Sequence, residues 1–145
     1  MKNSGFMPTT AVVSHLAQGY AHDGGVFRHR DYFDRSLEIG AGGVYSTATD
    51  MLRWSQGLDG STLVPASYMQ QIFKAENKGN YGYGWFVTSD NDGPRIWHEG
   101  SDPGYAAFII RRPAQQLFIV ALSNIEDAPV REIASKLEKL ALAQR

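Results

Sequence analysis

The chain has 145 residues, enough for one domain, or part of a larger one, with a buried core and no need of staples. Apolar residues make up 43% and charged residues 20%, a globular balance and not a disordered one. A formal charge of -1 argues against nucleic-acid binding, and the lack of cysteine excludes a disulfide scaffold, a thiolate nucleophile and cysteine-held metal.

Residues 1–45 are rich in glycine, polar and aromatic residues and show little periodicity. Short strands are expected at Leu16–Ala21 and Val26–Arg28, around an Asp23-Gly24-Gly25 turn. The rest reads as loop pinned by Phe27, Tyr32 and Phe33. So long an irregular stretch is unusual in a complete domain, so something outside the chain is expected to pack on it. The opening MKNSGFMPTT lacks the apolar core of a secretory signal, and any targeting signal is expected upstream.

A helix is predicted after Ser46 or Thr47, either of which can cap it, with Asp50 in its first turn. Met51, Leu52, Trp54, Ser55 and Leu58 form its inner face, and Gly57 and Gly60 mark its end. A second helix is predicted from Pro65 to about Lys74, with Met69, Ile72 and Phe73 inward.

Four strand-like segments follow: Tyr81–Thr88, Arg95–Glu99, Gly104–Arg112 and Gln116–Asn124. Their short connections predict an antiparallel meander. A last helix, Ala128–Ala143, has Val130, Ile133, Leu137, Leu140 and Leu142 near one face and Arg131, Glu132, Lys136, Glu138 and Lys139 over the other. The fold class is therefore α+β: a three- or four-stranded antiparallel sheet with the C-terminal helix packed on one face. The longest apolar runs, Ala106–Ile110 and Leu117–Leu122, are too short to span a bilayer as helices.

Most local motifs are structural. His29-Arg30-Asp31 has the first letters of a kinase catalytic loop, but Ser36 stands where that loop needs Asn, so a charged surface turn is expected. His15, His22 and His29 are seven residues apart, which matches no zinc spacing, and His98-Glu99 lacks the second His of a metalloprotease helix. Gly40-Ala41-Gly42-Gly43 lacks the Lys and Ser/Thr of a phosphate loop and reads as a tight turn. In Tyr81-Gly82-Tyr83-Gly84-Trp85 the glycines share one face, open to close approach by a helix or a ligand, and packing is the use expected. The stretch Trp97 to Tyr105 (WHEGSDPGY) stands apart. It sits at a strand end, with Gly100 leaving room, Gly104 closing a turn and His98 titratable near neutral pH.

Read end to end, the chain resembles the C-terminal half of the serine β-lactamase-like superfamily, which includes class C β-lactamases, DD-peptidases and esterases. The resemblance rests on segments in the family's order: MKNSGF (1–6), LAQGY (16–20), GGVYSTATDML (42–52), YGWF (83–86), HEGSDPGY (98–105) and the strand Leu117–Asn124 before the last helix. It implies that residues 1–145 form a single C-terminal portion of a β-lactamase-like domain, the N-terminal portion with the nucleophile lying elsewhere. It implies acyl transfer through a serine, with His98 in the family's Lys/His position, Gly100 in its Gly position, and the Ser101 N–H as one of two oxyanion donors. Glu99, Asp102 and Tyr105 would then meet substrate.

The departures are large. No Ser here is followed by Lys three residues on, and no Tyr or Ser is followed by Asn two residues on in a suitable place. Two of the family's three motifs are therefore lacking, and the chain is expected to be inactive alone. Glu99 stands where carboxylate-binding relatives carry Thr or Ser, which favours esters, or amides without a free carboxylate, unless alternation turns Glu99 away from His98. The resemblance implies no cofactor and no metal, a small-molecule ester or amide substrate, and a periplasmic or extracellular setting. It leaves room for an N-terminal partner chain or self-association. A catalytically dead binding module of the same fold is the alternative.

Overall fold

The structure, a computed structural model, describes residues 1–7, 10–60, 62–74 and 79–144. Two small ribbons come first. β1 (Gly5–Phe6) pairs with β4 (Val44–Tyr45), and β2 (Tyr20–Asp23) pairs with β3 (Val26–His29) through a turn at Gly24 and Gly25, both left-handed. The β2 strand starts at Tyr20, not Leu16. The preceding residues are held by side-chain bonds instead of a ladder, with Asn124 Nδ2 donating to Gln18 O and Tyr105 Oη donating to Ala17 O.

Helix α1 (Ala48–Asp59) is capped by Thr47, whose hydroxyl accepts from Asp50 N, and ends at Gly60. Gly57 is inside it, and Leu52 is exposed. Helix α2 (Ala66–Ile72) follows Pro65, and Met69, Ile72 and Phe73 pack inward as expected.

The main sheet has five antiparallel strands in the order β5 (Tyr81–Gly82), β6 (Trp85–Asp90), β7 (Gly93–Asp102), β8 (Tyr105–Arg112) and β9 (Leu117–Ser123). This is one strand more than expected. Tyr83 and Gly84 both adopt positive φ, +51° and +82°, and fold the run Tyr81–Thr88 into a two-residue hairpin. The β7 strand is also longer than expected, because its hairpins turn within Asn91-Asp92 and Pro103-Gly104.

Side-chain alternation gives the sheet two cores. Ala106, Phe108, Ile110 and Ile119 pack against Val130 and Ala134 of α3 (Val130–Ala143). On the other face Trp85 and Ile96 pack against Leu58, Trp54 and the α2 side chains. Among the described residues no helix is long and apolar enough to cross a membrane.

The expected orientation of the last helix is corrected. Its buried residues are Val130, Ala134 and Glu138, while Ile133, Leu137 and Leu140 are 47%, 48% and 61% exposed. Two arginines decide this, buried Arg112 and half-buried Arg95. Arg112 Nε donates to Glu138 Oε1 at 2.6 Å, and Arg95 Nε lies 3.0 Å from both Glu138 oxygens. Glu138 is thus drawn onto the sheet, where a buried charge needs its partners.

Candidate active site

Strand β7 carries the candidate residues His98 to Asp102, and β8 begins with Tyr105. The first half of β7 lies between β6 and β8, and Phe86 sits opposite Trp97 at the last β6 pair. Past that point only β8 runs alongside, from His98 opposite Ile109 to Asp102 opposite Tyr105. His98–Asp102 therefore have one strand edge with no strand partner among the described residues. Such an edge offers backbone donors and acceptors to whatever lies beside it.

Alternation divides the motif between two faces. Ile96, His98 and Gly100 lie on the α1–α2 face, and Trp97, Glu99 and Ser101 on the α3 face, where Glu99 reaches Arg131 at 3.5 Å. His98 is half-buried, with Nε2 at 3.1 Å from Tyr81 Oη. Gly100 is exposed, and a methyl group there would meet only Ala107 Cβ at 3.7 Å, an ordinary contact. The chain's own packing does not require glycine at 100, so its lack of a side chain leaves open space beside His98.

The turn after the strand is fastened from three directions. Arg35 forms an ion pair with Asp102, donates to Pro103 O at 3.3 Å and lies 5.4 Å over the Tyr105 ring. Glu126 accepts from Gly104 N at 3.0 Å and from Arg30 Nε at 2.6 Å. The Arg30 bond first, and the Gly104 bond second, hold the Glu126 carboxyl below its ordinary pKa. Tyr20 N donates to Asn124 O at 2.9 Å and lies 3.3 Å from Gly104 O.

Of the residues expected to meet substrate, Asp102 and Tyr105 thus take part in holding the turn, and Glu99 faces away from His98. Ser101 is exposed and lines an open cleft of about 490 Å³ with Arg30, Asp102, Pro103, Glu126 and Asp127. His98 does not line this cleft, whose walls are mainly the turn and its fasteners. His98 and Gly100 share the open strand edge, apart from this cleft.

Ser89-Asp90-Asn91, which has the letters of the family's second motif, lies at the opposite end of β7, in the β6–β7 hairpin. There Arg112 binds both Asp90 oxygens at 2.8 and 2.6 Å.

The beta-lactamase family model matches residues 1–143. The chain belongs to the beta-lactamase family. It is 27% identical over 142 residues to the putative penicillin-binding protein PbpX of Bacillus subtilis, covering 97% of this chain and 35% of that protein. It is 25% identical over 130 residues to penicillin-binding protein 4* of the same organism, covering 79% of this chain and 29% of that one. The crystal structure of a penicillin binding protein from Bacillus halodurans superposes with a TM-score of 0.78 at 20% identity, over 94% of this chain and 44% of that chain. The fold is shared, and the chain spans about a third of the length of these curated relatives.

Several of the beta-lactamase-like segments serve as frame. Asp50 of the GGVYSTATDML segment is fully buried and accepts from Asn3 N at 2.7 Å and Ser4 Oγ at 2.9 Å, tying the chain's start to α1. Sequence reasoning missed Arg35 and Glu126, which carry no motif and join the turn only in space. It read the Tyr81–Trp85 run as open to a helix or a ligand, with packing the use expected, and did not pair Tyr81 with His98.

Proposed function

We propose that this chain is one wall of a serine acyl-transfer site that acts on a carboxylic ester or amide, with β-lactams included. The observation that carries the reading is the half-paired strand His98–Asp102, with the side-chain-free Gly100 beside His98 on one face. A tetrahedral intermediate needs fixed donors aimed at its oxyanion, and backbone N–H groups of a rigid strand cost no reorganisation. Ser101 N–H is the donor this chain supplies, Gly100 leaves room for the acyl group, and His98 takes the place of the family's Lys/His. With Glu99 turned away and paired to Arg131, the electrostatic case against carboxylate-bearing substrates weakens.

The nucleophile, its Lys and the second oxyanion donor come from a separate segment carrying Ser-x-x-Lys. Two surfaces support a docking partner. The outer edge of β9 is unpaired among the described residues, and Ile133, Leu137 and Leu140 form an exposed apolar stripe at i, i+4 and i+7 on α3. A strand and a helix from that segment would cover both.

Serine-reactive phosphonate labelling, read by intact mass, tests the reading. The chain alone should stay unlabelled, and adding the Ser-x-x-Lys segment should give one label, on that segment. A label on a serine of this chain, Ser46 or Ser101 for instance, would overturn the mechanism. A folded chain that sediments as a strict monomer with the segment present would overturn the partner.

A further inference from the structure

We infer that Tyr81 is a positioning residue for His98: its hydroxyl donates to His98 Nε2 and so holds neutral His98 as the Nδ1–H tautomer. The inference rests on the reading of His98 as part of the acyl-transfer wall.

The local fold places the two rings together. The Tyr83-Gly84 turn folds the two-residue strand β5 back on β6 and sets Tyr81 opposite Phe86. The Tyr81 ring meets Phe86 edge-on at 4.6 Å, and Phe86 stacks on Trp97 at 4.3 Å. His98, the next residue, lies 5.8 Å from the Tyr81 ring and 5.9 Å from the Phe86 ring. These aromatic contacts limit how the imidazole can turn, and the 3.1 Å contact between Tyr81 Oη and His98 Nε2 closes the arrangement.

The direction of that bond follows from the two groups. A phenol is a stronger acid than a neutral imidazole N–H, and an imidazole nitrogen is a stronger base than a phenol oxygen. The favoured bond therefore runs from O–H to Nε2. The hydrogen bond made by one ring nitrogen decides where the other carries its proton. Neutral His98 then has Nδ1–H as its one ring donor, while its basic nitrogen is occupied. In this state His98 can give a hydrogen bond to a substrate oxygen but cannot act as a general base. Such a donor suits substrates recognised through a carbonyl oxygen.

The test is long-range proton–nitrogen NMR on the isotope-labelled chain, which reads the tautomer of His98 directly in the neutral form. The wild-type chain should show Nδ1–H in excess. Tyr81→Phe keeps the ring contacts and removes the hydroxyl, and should move the tautomer ratio toward Nε2–H by about fivefold, the worth of one hydrogen bond. Predominant Nε2–H in the wild type would overturn the inference, and that measurement needs no variant to fold. An unchanged ratio in a folded Tyr81→Phe chain would overturn it as well. Labelling in the presence of the Ser-x-x-Lys segment separates the two ideas. If His98→Ala leaves acylation intact while Tyr81→Phe shifts the tautomer, the coupling stands and the acyl-transfer role of His98 fails. If His98→Ala abolishes acylation and the tautomer ignores Tyr81, the acyl-transfer role stands and this inference fails.

Discussion

Gly104 and Gly19 cross backbone against backbone, so closely that a methyl group on Gly104 would lie 2.7 Å from Gly19 Cα and 3.1 Å from Tyr20 N. Gly104 also has a φ of +87°. The contact joins the turn after β7 to the residues just before β2. Gly104→Ala should therefore cost about 2 kcal/mol or more, from the strained φ plus the clash. Gly24→Ala is the control, since Gly24 has a φ of +55° with nothing within 4 Å of the added methyl group. It should cost about 1 kcal/mol. Urea denaturation of both variants reads the difference. Equal midpoints would show that the crossing carries no weight.

Gly100 predicts the opposite pattern. Its φ is not left-handed, and an added methyl group meets only Ala107 Cβ at 3.7 Å. Gly100→Ala should leave the unfolding free energy, read by urea denaturation, within about 0.5 kcal/mol of wild type. Acylation in the presence of the Ser-x-x-Lys segment should fall by about tenfold or more, because small displacements at the reacting centre are costly. Loss of stability without loss of acylation would remove Gly100 from the proposed wall.

Acid should loosen the β6–β7 hairpin through Asp90. The Arg112 hydrogen bond, followed by Asp92 N, lowers its carboxyl from 3.8 to about 2 despite an opposing desolvation. A carboxylate with a lowered folded-state pKa stabilises fully above its unfolded pKa, and the effect is lost as pH falls through the folded value. The window therefore runs from about pH 4 down to about pH 2. Asp90→Asn should flatten the stability profile in that window, read by thermal melts at stepped pH. An unchanged slope would mean that the Arg112 contact does not persist in solution.

The stripe on α3 predicts a variant that is silent alone. Leu137 is 48% exposed, so Leu137→Glu should change the stability of this chain by less than about 0.5 kcal/mol. Binding of the Ser-x-x-Lys segment should weaken by more than about tenfold, since a charge would replace an apolar contact residue. Titration calorimetry measures both partners directly. Undiminished binding would mean that the segment docks elsewhere.

Much of the fold was legible along the chain. Thr47 before Asp50, Pro65 before α2, and the Pro103-Gly104 break each act over a few residues, so local chemistry was enough to place them. The family was legible for a similar reason: its short segments follow one another in a set order. Periodicity could not say which stripe of the last helix faces the sheet. An apolar Ile133–Leu137–Leu140 stripe and a Val130–Ala134–Glu138 stripe are neighbours on one helix, and long-range charge pairing with Arg95 and Arg112 chose between them.

The site divides the same way. His98, Gly100 and Ser101 were marked by the resemblance of HEGSDPGY to the family's Lys/His-x-Gly motif, a run of neighbouring residues legible along the chain. Only the tertiary structure turned Glu99 toward Arg131, bound Asp102 to Arg35 across 67 residues, and brought Tyr81 to His98. Those contacts join elements far apart in the chain, and no local pattern encodes which distant partner a side chain meets. The sequence by itself determined the α-helices, the main strand segments of the large sheet, the family and the candidate motif. The packing of distant elements decided which of that motif's residues face the open edge and what holds them there.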